Sequence, residues 1–281
     1  MIMSYQCPLC QHPLDRRSNS YYCDNNHQFD LAKEGYINLL PVQFKRSKEP
    51  GDSKEMMQAR RAFLDNHHYR PMRDQVIAAF DQFLPEQTAQ ILDIGCGEGY
   101  YTSALAESLS ARDVVIYGLD VAKVAVRFGA KRYPQVNFSV ASSQRLPFED
   151  NCLEGVLRIY APCNPDELTR VVKPGGIIVT VTPGPRHLYQ MKSLIYTDVH
   201  LHPLKEESFP GFSPAQEYQV AYPMVLDGAD ATALLSMTPF AWKATEAVKN
   251  QLAAETVFSC ETDFLIRVYR REQGTEEAGD I

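Results

Sequence analysis

Residues 91 to 101, ILDIGCGEGYY, constrain this chain more than any other stretch. Ile91, Leu92 and Ile94 make the short apolar run of a buried parallel strand, and Gly95, Gly97 and Gly99 let the chain turn tightly into a helix. Free N–H groups and the positive end of the helix dipole make Gly97 to Tyr101 a seat for a carboxylate or phosphate. A second apolar run, Val114 to Leu119, ends in Asp120 about 20 residues past the glycines, where a carboxylate takes both ribose hydroxyls of a nucleoside. An α/β fold that binds a nucleoside follows.

Dinucleotide sites space their glycines GxGxxG, whereas this turn reads GxGxG with Asp93 two residues before it. That spacing resembles the first motif of class I S-adenosylmethionine-dependent methyltransferases. ASSQRLPF (141 to 148) resembles their segment after the third strand, which borders the adenine, and VVKPGGIIVTV (171 to 181) their turn into the fifth. Ser142 stands where many relatives carry an acid, so the adenine amino group needs another acceptor, such as a backbone carbonyl. The resemblance implies a Rossmann-like, mostly parallel seven-stranded sheet, with the cofactor around Asp93, the three glycines, Asp120 and Ser142.

Upstream, residues 1 to 40 are too few to bury a core of their own and need a staple or a neighbour. Cys7, Cys10, Cys23 and His27 supply it: C-x2-C, twelve residues, then C-x3-H, the spacing of a tetrahedral zinc site with three thiolates and one imidazole. Four protein ligands leave no open position, so the metal is expected to be structural. His12 is the nearest rival ligand and reads as surface. The other four of the seven cysteines are scattered, and disulfides are not implied.

The net charge of −7 is uneven: residues 1 to 75 hold 11 Lys+Arg against 9 Asp+Glu, while the remainder holds 17 against 26. A basic front on an acidic body suits a polyanionic partner. Aromatic Tyr21, Tyr22, Phe29 and Tyr36 interleave with Arg16, Arg17 and Lys33, a mixture that stacks bases or builds a small core; Tyr22 and Phe29 read as core. Lys45, Arg46 and Lys48 then precede Pro50 and Gly51 in an exposed connection, and Arg60 and Arg61 lie on the polar face of the next helix. These five are the candidate RNA contacts. Asp52 with Glu55 reads as the cap of that helix.

NHHYRPM (66 to 72) breaks the helix beside the expected methyl-donor pocket, placing Tyr69 as a lid or simply as packing. RIYAPC (158 to 163) ends the fourth strand, where the target atom is presented in this fold. It offers Arg158, Tyr160, Pro162 and Cys163 and leaves the catalytic base unnamed, Arg158 and Tyr160 being the candidates. Arg186 and His187 emerge after strand five, His200 and His202 read as structural, and Tyr222 to Leu226 with Leu265 to Tyr269 read as the closing hairpin. The expected organisation is a zinc module at 1 to 40, a basic linker and helix at 41 to 75, a methyltransferase domain at 76 to 271 and a disordered acidic tail at 272 to 281. With no signal peptide or membrane span in view, the expected location is cytoplasmic.

CPLC…YYCDNNHQFDLAKEGYINLL, KRSKEPGDSKEMMQARRAFL and LDIGCGEGYYT together resemble the bacterial 23S rRNA guanine N1-methyltransferases, as do IYAPC, TPGPRHL and LLSMTPFAW. The resemblance implies zinc on Cys7, Cys10, Cys23 and His27, and S-adenosylmethionine on Tyr69, the glycine turn, Tyr101, Thr102, Asp120 and His187. It implies methylation of one guanine in a 23S rRNA hairpin, guanine 745 for the housekeeping branch. A homodimer would suit a long hairpin. The rival readings are a small-molecule methyltransferase and a non-catalytic zinc-dependent RNA-binding protein.

Overall fold

Ile91, Leu92 and Ile94 point alternately to opposite faces of their strand, so it requires apolar cover on both sides. A computed structural model describes residues 4–44, 53–86, 89–204 and 207–273. Three short antiparallel strands, β1 (Asp15–Arg17), β2 (Ser20–Tyr22) and β3 (Gln28–Asp30), surround the N-terminal cysteines, and β4 (Ile37–Asn38) follows. Helices α1 (Lys54–Asp65) and α2 (Arg70–Phe83) lead into β5 (Ala89–Ile94), α3 (Tyr100–Ser108), β6 (Val114–Asp120), α4 (Lys123–Arg132), β7 (Asn137–Val140) and β8 (Leu153–Ile159). Then come α5 (Pro165–Val171), β9 (Val172–Pro183), α6 (Tyr189–Ser193), β10 (Phe212–Leu226), α7 (Gly228–Ser236), α8 (Glu246–Ala254) and β11 (Phe258–Arg271).

The main sheet runs β10-β11-β9-β8-β5-β6-β7-β4. Strands β4 to β9 in it are parallel, and β11 is antiparallel to both its neighbours. Seven of these strands are the expected methyltransferase sheet. The eighth, β4, corrects that expectation: Ile37 and Asn38 pair with Ser139 and Val140 along the edge that β7 would otherwise leave open. A two-residue strand is too short to carry a readable alternation.

The two faces of β5 are covered differently. Ile91 shares a core with Val76 and Phe80 of α2 and Leu105 of α3. Leu92 and Ile94 share the other with Leu168 of α5 and with Tyr5, Leu14 and Tyr21 of the zinc module. Tyr5 is central there, its ring 5.7 Å from that of Tyr21, 5.3 Å from Tyr117 and 5.2 Å from Phe148. The module at 1 to 40 is thus a covering layer of the sheet, joined by β4 and by a bridge between Tyr5 and Phe148, and the boundary expected at residue 40 does not separate two cores. Tyr21 and Tyr36 are buried as core, which removes them from the base-stacking set; Tyr22 and Phe29 are half-buried.

Helix α1 is capped by Ser53, whose side chain accepts the Met56 N–H at 3.2 Å; the expected Asp52 lies outside the described residues, as do Lys45, Arg46, Lys48 and most of the acidic tail. The break after α1 is pinned by Asp230 of α7, which binds Asn66 Nδ2 at 2.7 Å and His68 Nε2 at 2.6 Å. This fixes Tyr69 at the start of α2. The closing hairpin is far longer than its expected apolar segments, with Leu226 paired to Phe258 and α7 and α8 inserted at its tip. Among the described residues no helix is long and apolar enough to cross a membrane.

Candidate active site and metal centre

Two backbone knuckles present the metal-ligating side chains. Gln11 N–H donates to Cys7 O at 2.8 Å and Asn26 N–H to Cys23 O at 2.9 Å, with Gln11 and Asn26 both left-handed at φ 63° and 60°. The ligand atoms of Cys7, Cys10, Cys23 and His27 all lie within 4.8 Å of one another. Cys10 Sγ to Cys23 Sγ is 3.6 Å, and His27 Nδ1 stands 3.5 Å from Cys7 Sγ and 3.4 Å from Cys23 Sγ. Tetrahedral zinc with ordinary bond lengths sets these edges at about 3.8 Å and about 3.6 Å, so the four atoms fit the ion. His12 is exposed, its Nδ1 4.0 Å from an Asp24 oxygen, and stands outside the cluster.

At the C-terminal ends of the strands lies a cavity of about 610 Å³, the place where parallel sheets bind ligands. The glycine turn forms its floor. Gly95 adopts φ +73°, and a side chain there would meet Ala161 Cβ at 2.6 Å; Gly99, at φ +85°, caps α3 with Phe138 at 2.6 Å from any added Cβ. Asp120 braces the turn: Oδ2 accepts Gly97 N–H at 2.9 Å and Oδ1 accepts Ala122 N–H at 2.8 Å. Asp93 is buried and accepts from Thr102 Oγ1 at 2.6 Å; burial raises its carboxyl to about 7, against the pull of that hydrogen bond. Asp93, Gly95, Gly97, Tyr101 and Asp120 line the cavity, while Thr102 and Gly99 support it from behind.

Helix α1 forms one wall, with Met57, Arg60, Arg61 and Leu64. Arg61 makes a forked pair with Glu98 of the glycine turn, at 2.5 and 2.6 Å, and its guanidinium stacks over Phe128 at 4.5 Å. Arg60 lines the same wall. Of the five expected RNA contacts, these two are therefore placed at the cavity and the other three fall outside the described residues.

The opposite wall comes from the ends of β8 and β9. Tyr160 enters it at φ +54°, with 48% of its surface exposed. Arg158 does not: it turns away to pair with Glu207 and to stack over Phe209, because the alternation of β8 sends neighbours-but-one to the same face and Tyr160 leaves the strand in a left-handed turn. Ser142 is likewise displaced from the cavity, its hydroxyl accepting Gln144 N–H at 3.2 Å, and Ser143 lines the cavity instead.

His187 lies between Tyr69 and Tyr160, its ring centre 6.3 Å from each and 4.7 Å from Phe264. Its Nδ1 accepts the Asp263 N–H at 3.2 Å, so the neutral ring carries its hydrogen on Nε2. Burial, then the charges of Lys192 and His202, push its pKa down to about 3. Sequence reasoning did not single out Lys192 and read His202 as structural. Both line the cavity, with Lys192 Nζ 2.5 Å from His202 Nε2, and burial lowers the pKa of each.

Comparison with known proteins agrees with this architecture. A family model described as "RlmA, N-terminal", a zinc ribbon, matches residues 5–48, and a "Methyltransferase domain" model matches residues 91–176. A Streptomyces fradiae protein named 23S rRNA (guanine(748)-N(1))-methyltransferase is 30% identical over 248 residues, 86% of this chain and 87% of that protein. A Bacillus subtilis protein named putative 23S rRNA (guanine-N(1)-)-methyltransferase YxjB is 29% identical over 85% of this chain and 87% of its own length. Similarity to a demethylmenaquinone methyltransferase of Bacillus pumilus, 30% identical, spans only 49% of this chain and 66% of that protein. The zinc ribbon, the class I methyltransferase sheet and similarity over nearly the full length agree: the chain belongs to the 23S rRNA (guanine-N1)-methyltransferase family.

Proposed function

We propose that the chain uses S-adenosylmethionine to methylate N1 of guanine 745 in a hairpin of 23S rRNA. The observation that carries the reaction is similarity to a guanine-N1 methyltransferase over 86% of the chain, with the zinc ribbon matched as well. The position is a finer reading, resting on resemblance to the housekeeping branch; the 30% identical relative has guanine 748 in its name. A quinone-type methyltransferase is the second reading, and the half-chain extent of that similarity disfavours it. An rRNA substrate implies work in the cytoplasm, and two copies would present two ribbons to one hairpin.

S-adenosylmethionine supplies a methyl group made electrophilic by its sulfonium. Tyr69, Gly95, Gly97, Tyr101, Asp120 and His187 are the cavity residues that would hold it. Its ribose would meet Asp120, and the neutral His187 would donate from Nε2. Guanine N1 lies on the pairing edge, so the base must enter unpaired or flipped. N1 also carries a proton that must leave, and the Lys192–His202 pair offers nitrogen bases in the wall, both held below their ordinary pKa. Cys260 and Asp263 are the other titratable groups acting on that pair, together with His187.

The test is transfer of labelled methyl from S-adenosylmethionine to 23S rRNA from a strain lacking the modification, with the labelled nucleotide mapped. Label on N1 of guanine 745 supports the whole reading, and label on guanine 748 corrects the position alone. An unlabelled RNA, with cofactor and zinc both bound, overturns the reaction.

A further inference from the structure

Trp242, the only tryptophan in the chain, is 78% exposed. A large aromatic left in water at that extent asks for a partner. Its surroundings say which kind. Trp242 sits in the 3-10 turn Ala241–Lys243 just after α7, and the residues leading to it, Met237, Thr238, Pro239 and Phe240, line the cavity. Phe240 lies 6.2 Å from Tyr196, ring to ring, at 67°. Lys243 Nζ stands 4.9 Å from the Tyr196 ring centre and 5.2 Å from that of Trp242. No ion pair among the described residues engages Lys243. Rings and one ammonium thus run from the cavity mouth outward.

The turn is rigid enough to hold that order. Thr238 is buried and donates its hydroxyl to Leu235 O at 2.7 Å, Lys243 N–H bonds Phe240 O at 3.0 Å, and Ala244 N–H bonds Ala241 O at 3.1 Å. An exposed ring with an adjacent cation is the means by which proteins hold unpaired nucleotides: the base stacks and the ammonium neutralises a phosphate. On a chain of net charge −7, such a cation has to act locally.

We infer that Trp242 and Lys243 form a docking site for an unpaired nucleotide flanking the guanine in the cavity, Trp242 stacking on the base and Lys243 meeting its phosphate. This rests on the rRNA-methylating reading above. The site follows α7, which is tied to the break after α1 through Asp230, so it would extend along the RNA the grip that Arg60 and Arg61 begin at the cavity.

The single tryptophan makes the test direct. Titrating the zinc-loaded full-length protein with a synthetic hairpin containing the target guanine is expected to quench Trp242 fluorescence, with saturation at the concentration that saturates methyl transfer. Trp242→Ala is expected to raise KM for the hairpin about ten-fold, in the range of one lost base stack. S-adenosylmethionine affinity, which reports that the variant is folded, is expected to match the parent. Trp242→Phe should restore most of the loss, and Lys243→Met should weaken binding while flattening its salt dependence. An active enzyme whose fluorescence ignores RNA and whose Trp242→Ala variant keeps its KM overturns the site. So does a Trp242→Ala variant that changes oligomeric state in sedimentation, which would place the ring between two copies. A parent protein that labels no RNA strikes the reaction itself, a result distinct from either.

Discussion

Two titratable groups in the cavity wall pull stability in opposite directions with pH. His187 is held at about 3, against an ordinary 6.5, so between those values the unfolded chain takes up a proton that the native one refuses. Its contribution is lost as pH falls through that window. Asp93 is raised to about 7 from 3.8, so the native carboxyl keeps a proton the unfolded chain releases, and its contribution is lost as pH rises through that span. Urea unfolding at about pH 7.5 and about pH 5 separates them: relative to the parent, His187→Gln gains stability on acidification and Asp93→Asn loses it. For catalysis, Lys192→Met is expected to lower kcat by about 10² or more and to remove the acid limb of its pH profile, while cofactor affinity measured by calorimetry holds. An unchanged profile would take the pair out of the reaction. The sequence could reveal the four zinc ligands because a chelate loop fixes spacing along the chain. It could not reveal Lys192 with His202, since their contact is made by the irregular segment that follows α6, where no periodicity applies.

At the scale of elements, α1 is tied directly to the glycine turn. The Arg61–Glu98 fork is partly shielded, with Arg61 also stacked on Phe128, so breaking it costs more than an exposed pair. Arg61→Lys keeps the charge and loses the fork. The expected result is a loss of about 1–2 kcal/mol in stability, in line with charged hydrogen bonds, and weaker cofactor binding, both read by thermal shift with and without S-adenosylmethionine. The helical period and the βα alternation were legible from β5 to β9 because parallel strands buried on both faces read as apolar runs. The strand β4 and the displacement of Arg158 were not. One is two residues long, and the other depends on a left-handed turn at Tyr160 that no side-chain preference announces.

For the molecule as a whole, the zinc module is one layer of a shared core. Removing the metal, by chelation or by Cys23→Ser, is therefore expected to lower the melting temperature of the entire protein in a single transition. Two separate transitions in calorimetry, with the methyltransferase part keeping its own melting temperature, would contradict this. The joint is built from pairs distant along the chain: Gln6 N–H to Pro147 O at 3.0 Å, Glu149 N–H to Ser4 O at 3.1 Å, and Leu39 N–H to Val140 O at 2.8 Å. That arrangement sets an order during synthesis. The zinc module, made before the sheet, can take up zinc at once, but Tyr5 and Ile37 lack their partners in the sheet until β7 and Phe148 have left the ribosome. For the interval in which about a hundred residues are added, the nascent chain carries a loaded metal knuckle with an uncovered apolar side.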